Sequence, residues 1–316
     1  AGCNAVQEIA FTFSDGFVYI ESVLERGMDI DSFAPRLSFI FNTYNNFFEE
    51  IAKYRAARRI WARALKERYG AKNPRSMMFR THMQTGGSTL TAQQPENNII
   101  RATIQTLAAV LGGVQSIAVS CMDEALAIPS EKAVRTALRT QQIIAYESGV
   151  TDTIDPLGGS YYVEWLTDEI EERAMREIEK IDEMGGMLKA IESGYINRAI
   201  EDNAYAYQKE IESGERIVVG VNKFTVDEEP EIEILEVDPT VEEVQKEKLK
   251  RIRKERDRAR LERALDGIRK TAEKEATNEN NLIPPIIEAI KADATLGEMC
   301  DVLREVFGVY KVPVTI

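Results

Sequence analysis

Short apolar runs alternate with amphipathic helical stretches from residue 1 to about 150, and this rhythm constrains the fold more than any other feature. Residues 5–26 carry Ile9, Phe13, Phe17, Ile20 and Leu24 near helical spacing, with Gly27 where a C-terminal cap is expected. Residues 36–42, 77–83 and 116–120 read as short strands. Between and after them, residues 48–69, about 95–111 and 130–149 read as helices. These end at Gly70, Gly112-Gly113 and Gly149, and Ser130 caps the last. In the helix over 48–69, Tyr54, Ala57, Trp61 and Leu65 form the apolar stripe, while Arg55, Arg58, Arg59, Arg63 and Lys66 face away from it. Alternating buried strands and helices imply a parallel sheet, either doubly wound or a (β/α)8 barrel. The series holds three strands and opens with a helix, so an eight-stranded barrel needs further strands before Ala1.

The rest of the chain has a different texture. Residues 151–225 read as a helical continuation, with loops at Asp155-Pro156-Leu157-Gly158-Gly159 and Ser213-Gly214 and one β-like run at 217–221. Residues 226–240 are acidic and hold Pro230 and Pro239, as a linker would. Residues 241–270 predict one charged helix, Asn278 to Asn281 break the chain, and 284–307 predict another helix. The expected organisation is therefore 1–150, 151–225 packed on it, and a linker with a helical region over 226–316.

Composition excludes several classes. With 44% hydrophobic and 29% charged residues among 316, the chain has the apolar surface that disordered chains lack. Cys3, Cys121 and Cys300 are scattered, which fits a reducing compartment and a cytoplasmic location. No apolar run reaches the roughly 18–20 residues of a membrane span, and Ala1-Gly2-Cys3-Asn4 lacks the features of a signal peptide. A net charge of -13 repels phosphate backbones. The basic run over 246–270 is interleaved with Glu247, Glu255, Asp257, Glu262 and Asp266 and has no aromatic residues for stacking, so it reads as a solvated helix. His82 is the single histidine, which rules out a zinc site built mainly from histidine, and no metal-ligand spacing is present.

In a (β/α)8 barrel, chemistry sits at the C-terminal ends of the strands. Arg36 and Ser38 precede or open the first strand, and Gln115 precedes the third. Arg80, His82 and Gln84 alternate along the second and so share one face. A cation, an imidazole and an amide turned into a barrel interior need polar partners. Either they line a pocket for a ligand with anionic groups, or they form an internal hydrogen-bond network. Gly86-Gly87 either admits a ligand close to the backbone or is an ordinary turn. Glu124 either accepts hydrogen bonds from a sugar hydroxyl or is a carboxylate leading a helix. Cys121 is close to this region, but no second histidine exists to activate it, and no nucleophile-elbow motif supports a triad on His82.

Several long motifs, in order, resemble the large subunit of methylmalonyl-CoA mutase and its acyl-CoA mutase relatives. They are Ala34-Pro35-Arg36-Leu37-Ser38-Phe39, Phe79 through Ser88 with Leu90-Thr91-Ala92-Gln93, Asp123-Glu124-Ala125-Leu126-Ala127, Asp155-Pro156-Leu157-Gly158-Gly159-Ser160, and Gly220-Val221-Asn222-Lys223. The resemblance runs from Ala1 to Ile316. It implies the C-terminal half of a (β/α)8 TIM barrel with a C-terminal helical extension. It further implies an acyl-CoA threaded along the axis and adenosylcobalamin across the C-terminal face, where the cofactor carries the radical chemistry. Carried over by motif, Arg36 and Ser38 resemble coenzyme A contacts, and Arg80, His82, Gln84 and Gln115 resemble acyl-CoA pocket residues. Gly87 resembles the family's glycine against the corrin, Glu124 its acidic cofactor contact, and Ala127 that residue's neighbour.

The departures from the family pattern carry expectations of their own. The family's catalytic tyrosine, carboxylate-binding arginine and pocket histidine precede these motifs, so the catalytic residues and the N-terminal barrel half are expected upstream of Ala1. The cobalt-ligating motif DxHxxG is absent, because Arg80 and Thr85 stand at its Asp and Gly positions around His82. The chain ends near Pro313, as split family members do, so a small cobalamin-binding subunit is expected to supply the lower ligand. Dimers or higher homo- or hetero-oligomers are the family's usual state. Ala118 stands where many relatives have histidine and Ser88 where many have tryptophan. That leaves open a relative acting on another branched acyl-CoA such as isobutyryl-CoA, and a non-catalytic assembly subunit is the further alternative.

Overall fold

A computed structural model describes residues 2–227, 232–277 and 279–311. Ala1, Pro230, Asn278 and Pro313 lie outside the described residues. The chain divides into two units, the first running to Leu235 and the second from Glu236.

The first unit is mixed α/β and helix-rich around a small parallel sheet. Its helices are α1 (Ala5–Leu24), the short α2 (Ile30–Phe33), α3 (Phe47–Arg63), α4 (Asn97–Gly112), α5 (Glu131–Glu147), α6 (Tyr161–Glu183), α7 (Met187–Glu192) and α8 (Tyr195–Ser213). The strands β1 (Phe39–Thr43), β2 (Thr81–Thr85) and β3 (Ser116–Ala118) form one sheet in the order β1-β2-β3, all parallel. Parallel neighbours joined through helices are the repeating unit of a (β/α)8 barrel, and this sheet with its helices is part of one.

The first two strands begin later than the apolar runs suggest, and the third ends sooner. Ala34–Arg36 is a 3-10 turn, with Pro35 fixing the backbone of its first turn, so Arg36 lies outside β1 and Ser38 just before it. The second strand runs over Thr81–Thr85 rather than 77–83, so Gln84 lies within the sheet and Arg80 just before it. The third ends at Ala118, after which the Ser120 N–H turns to Thr85 Oγ1 at 2.7 Å. The β-like run at 217–221 makes only an isolated bridge between Val219 and Lys223.

One face of the sheet packs on α1 and α3. Phe13, Phe39, Phe41, Trp61 and Phe79 meet there, with the Phe39 and Trp61 rings 4.8 Å apart and nearly perpendicular. Edge-to-face rings of this kind add to the burial energy of the aromatic surfaces. The basic face of α3 is only partly turned to solvent: Arg55 and Arg58 are half-buried, while Arg59 and Arg63 stay exposed. Helix α6 lies along it and presents Glu164, Asp168 and Glu171 at helical spacing. Arg55 pairs with Asp155 and Glu164, Arg59 with Asp168 and Glu171, and Arg63 with Glu171. Asp155 belongs to the Asp155–Ser160 motif, so that motif anchors the loop before α6.

The second unit holds α9 (Thr240–Glu255), α10 (Arg258–Ala272), α11 (Ile283–Lys291) and α12 (Leu296–Phe307). Both helices expected here are broken in two. Asp257 ends the first by capping α10, its side chain accepting from Arg260 N at 3.0 Å. Thr295 and Glu298 form a capping box that starts α12. Ile268, Ala289, Met299 and Val302 make this unit's small core. Among the described residues, no helix is long and apolar enough to cross a membrane, and no group of three His, Cys, Asp or Glu could hold a metal ion.

Candidate active site

Alternation on the strands decides which side chains share a face. Phe41 and Thr43 on β1, and Thr81, Met83 and Thr85 on β2, are buried against the helices. The opposite face carries Ile40 and Asn42, then His82 and Gln84, then Ser116 and Ala118. These residues are in register, as Ile40–His82–Ser116 and Asn42–Gln84–Ala118. Ile40 is 72% exposed, so this face is open to a ligand. It is the face that a barrel turns inward.

The site residues named above fall around this face with different degrees of freedom. His82 Nδ1 is 2.8 Å from Ser116 Oγ, an oriented imidazole on the middle strand. Arg80 is half-buried and donates weakly to the Leu37 carbonyl at 3.3 Å, leaving most of its guanidinium donors for other partners. Gln84, Arg36 and Ser38 are exposed. Gln115 is committed at both ends of its amide: Oε1 accepts from Thr81 N at 2.8 Å and Nε2 donates to the Gly113 carbonyl at 2.8 Å. Its observed work is to join the starts of β2 and β3. Glu124 Oε1 accepts the Cys121 N–H at 2.6 Å, and the half-buried Ala127 closes the same turn through its N–H to Asp123 O at 3.0 Å. Burial, with Glu124 and Asp123 nearby, pushes the Cys121 thiol up to about 11, which leaves it a poor nucleophile at neutral pH.

The two glycines after β2 play different parts. A Cβ on Gly86 would lie 2.7 Å from Tyr44 Cδ1 and 3.1 Å from the Thr43 carbonyl, so the strand end itself requires glycine there. A Cβ on Gly87 would meet nothing within 4 Å. Gly87 is exposed at the C-terminal end of β2, and nothing in this chain's own packing demands a glycine.

Composition and motif did not point to the groups that hold this loop. Gln105 on α4 is fully buried: its Oε1 accepts from Gly86 N at 3.0 Å, and its Nε2 donates to Asn45 Oδ1 at 2.6 Å and Thr89 Oγ1 at 2.7 Å. Asn98, also fully buried, bonds both the N–H and the carbonyl of Thr91 and donates to the Met122 carbonyl. Both stand on the stripe Asn98, Ala102, Gln105, Ala109, and a polar residue on a buried stripe is the signal that could have found them. Behind β1, Lys53 has no exposed surface. Its Nζ donates to Glu8 Oε2 at 2.7 Å and to the Asn42 carbonyl at 2.6 Å, and lies 2.6 Å from Glu50 Oε2. Burial pushes the Glu50 carboxyl up to about 7, against the pull of Lys53. The two carboxylates hold the Lys53 ammonium well above its ordinary range despite its burial.

Comparison with known proteins identifies the family. The family model described as methylmalonyl-CoA mutase matches residues 1–309. The 2-hydroxyisobutanoyl-CoA mutase large subunit of Aquincola tertiaricarbonis is 46% identical over 98% of this chain and 55% of its own length. The probable mitochondrial methylmalonyl-CoA mutase of Caenorhabditis elegans is 48% identical over 97% of this chain and 41% of its own. The methylmalonyl-CoA mutase of Escherichia coli (strain K12) is 45% identical over 99% and 43% respectively. The chain thus spans about half the length of the relatives it matches. The family match over residues 1–309, with relatives 45–48% identical along nearly the whole chain, makes this chain a member of the methylmalonyl-CoA mutase family, an isomerase family.

Proposed function

We propose that this chain is the large-subunit component of an adenosylcobalamin-dependent acyl-CoA mutase of the methylmalonyl-CoA/succinyl-CoA type. The observation that carries the reading is the open face of β1-β2-β3, where His82 and Gln84 stand in register with Ser116 and Ala118 and Arg80 opens the row. In this reading Arg36 and Ser38 take the coenzyme A portion, and Arg80, His82 and Gln84 take the acyl end. Gln115 contributes by fixing the strand starts. Gly87, Glu124 and Ala127 border the cofactor, and the open space beside Gly87 supports its place there. When bound, adenosylcobalamin supplies the radical that takes hydrogen from the acyl group. The residues of this chain hold the thioester, orient its carbonyl toward His82 and exclude water from the reacting carbons.

The remaining barrel strands, a small cobalamin-binding subunit and a homo- or hetero-oligomeric assembly belong to the same proposal, as does a cytoplasmic location. So does the division of labour along the chain, with residues 1–150 as barrel, 151–225 packed on it, and 226–316 as linker and helical region. The test is turnover. The complete assembly, supplied with adenosylcobalamin and methylmalonyl-CoA, should form succinyl-CoA, and Arg80→Ala in that assembly should raise KM at least tenfold. Absence of carbon-skeleton isomerisation with methylmalonyl-CoA and with isobutyryl-CoA would sink the mutase reading.

A further inference from the structure

Among the described residues, Asn42 is the one strand residue on the open face whose backbone is fixed from behind by buried charge. Its N–H donates to Glu8 Oε1 at 2.8 Å, and its carbonyl accepts from Lys53 Nζ at 2.6 Å and from Tyr54 Oη at 3.1 Å. Lys53 is fully buried, and Glu8 reaches both Lys53 and Asn42. The strand end is thus held by groups that cannot move without uncovering a charge. Alternation turns the Asn42 side chain the other way, onto the open face, in register with Gln84. No hydrogen bond from its carboxamide is found among the described residues. Two carboxamides therefore stand side by side on the row nearest the C-terminal end of the sheet, one rigidly mounted and with its polar atoms unspent.

We infer that Asn42 is a specificity-determining residue that, beside Gln84, binds an oxygen function carried on the acyl group of the thioester. This assignment rests on the acyl-CoA reading of the site. The chemistry follows from what a carboxamide leaves behind. An acyl group bearing a hydroxyl or carboxylate can satisfy its N–H donors or its carbonyl. A purely aliphatic one buries them without partners, and a buried unpaired polar group costs more than a hydrogen bond contributes. A rigid backbone mount makes the discrimination sharper, because the side chain cannot retreat to water.

The test compares two thioesters with one carbon skeleton, 3-hydroxybutyryl-CoA and butyryl-CoA, by equilibrium binding to the complete assembly. The comparison is made for the wild type, Asn42→Leu and Asn42→Ala. Wild type should prefer the hydroxylated thioester. Both variants should lose about tenfold or more of that preference, with butyryl-CoA binding held or improved in Asn42→Leu. The thermal midpoint should stay within about 2 °C of wild type, because the bonds to Glu8, Lys53 and Tyr54 use only backbone atoms of residue 42. An equal loss for both thioesters, or an unchanged preference in both variants, overturns the assignment. Failure of the wild-type assembly to bind either thioester overturns the acyl-CoA reading itself, and this assignment with it.

Discussion

Lys53 Nζ donates to the Asn42 carbonyl at 2.6 Å from a position with no exposed surface, so a cation is buried directly behind the strand end whose other side faces the candidate site. Two carboxylates, Glu8 and Glu50, compensate it. Removing one member of such a cluster leaves the others buried and unmatched. Lys53→Met should therefore destabilise the fold by about 3–5 kcal/mol, read as a lowered midpoint in denaturant unfolding. Adding Glu50→Gln to Lys53→Met should recover part of the loss, since the second change removes one of the stranded charges. A double variant no more stable than the single one would argue against the cluster as described.

The same cluster gives stability a pH dependence of defined sign. Burial raises the folded Glu50 carboxyl from 4.5 to about 7, so between those values the folded state keeps a proton that the unfolded chain has lost. Its contribution is fully present below about pH 4.5 and is lost as pH rises through about 7. The slope is at most about 1.4 kcal/mol per pH unit. Glu50→Gln should remove this component, so the wild type and variant should differ in the slope of unfolding free energy across that window. Parallel pH profiles for the two proteins would refute it.

Gly86 and Gly87 are neighbours with opposite expected responses. A Cβ at Gly86 runs into the Tyr44 ring, whereas one at Gly87 enters open space. Gly86→Ala should lower the thermal midpoint by several degrees, equivalent to about 1–3 kcal/mol of overpacking. Gly87→Leu should leave the midpoint unchanged and, if this loop borders the corrin as proposed, weaken adenosylcobalamin binding at least tenfold. Loss of stability in Gly87→Leu would mean that the loop closes in the complete assembly in a way this chain does not show.

Some of this was legible from residue patterns and some was not. The shared face of His82 and Gln84 follows from period-two alternation and does not depend on where the strand begins, whereas Arg80 falls just before the strand, where alternation no longer places it. The helix breaks at Asp257 and Thr295 were missed because the charged and apolar periodicities run on through them, and only the capping geometry shows the interruption. The α3 arginines do face away from the apolar stripe, but their ion pairs are not legible in sequence, because the partners, from Asp155 to Glu171, lie about 100 residues on. Lys53 was hidden for the same reason: a lysine within a basic helix gives no sign that Glu8, 45 residues earlier, waits for it. Asn42 closes an apolar run and reads there as the strand's polar end. Its meaning depends on which groups grip its backbone.

His82 offers the most direct test of the site. Its Nδ1 is engaged by Ser116 Oγ at 2.8 Å, which orients the ring and leaves Nε2 to face a ligand. If His82 takes the proposed place at the thioester carbonyl, its loss should cost about 10²–10³ in kcat, as for other preorganised oxyanion donors, and His82→Ala in the complete assembly tests this. Ser116→Ala should act through His82, as a positioning change. It should lower kcat by about tenfold, far less than His82→Ala, and leave KM nearly unchanged. Neither substitution touches the helix-facing core, so both proteins should unfold at the wild-type midpoint. A His82→Ala enzyme with wild-type kcat would remove His82 from the chemistry and return its bond with Ser116 to the role of a strand-to-strand contact.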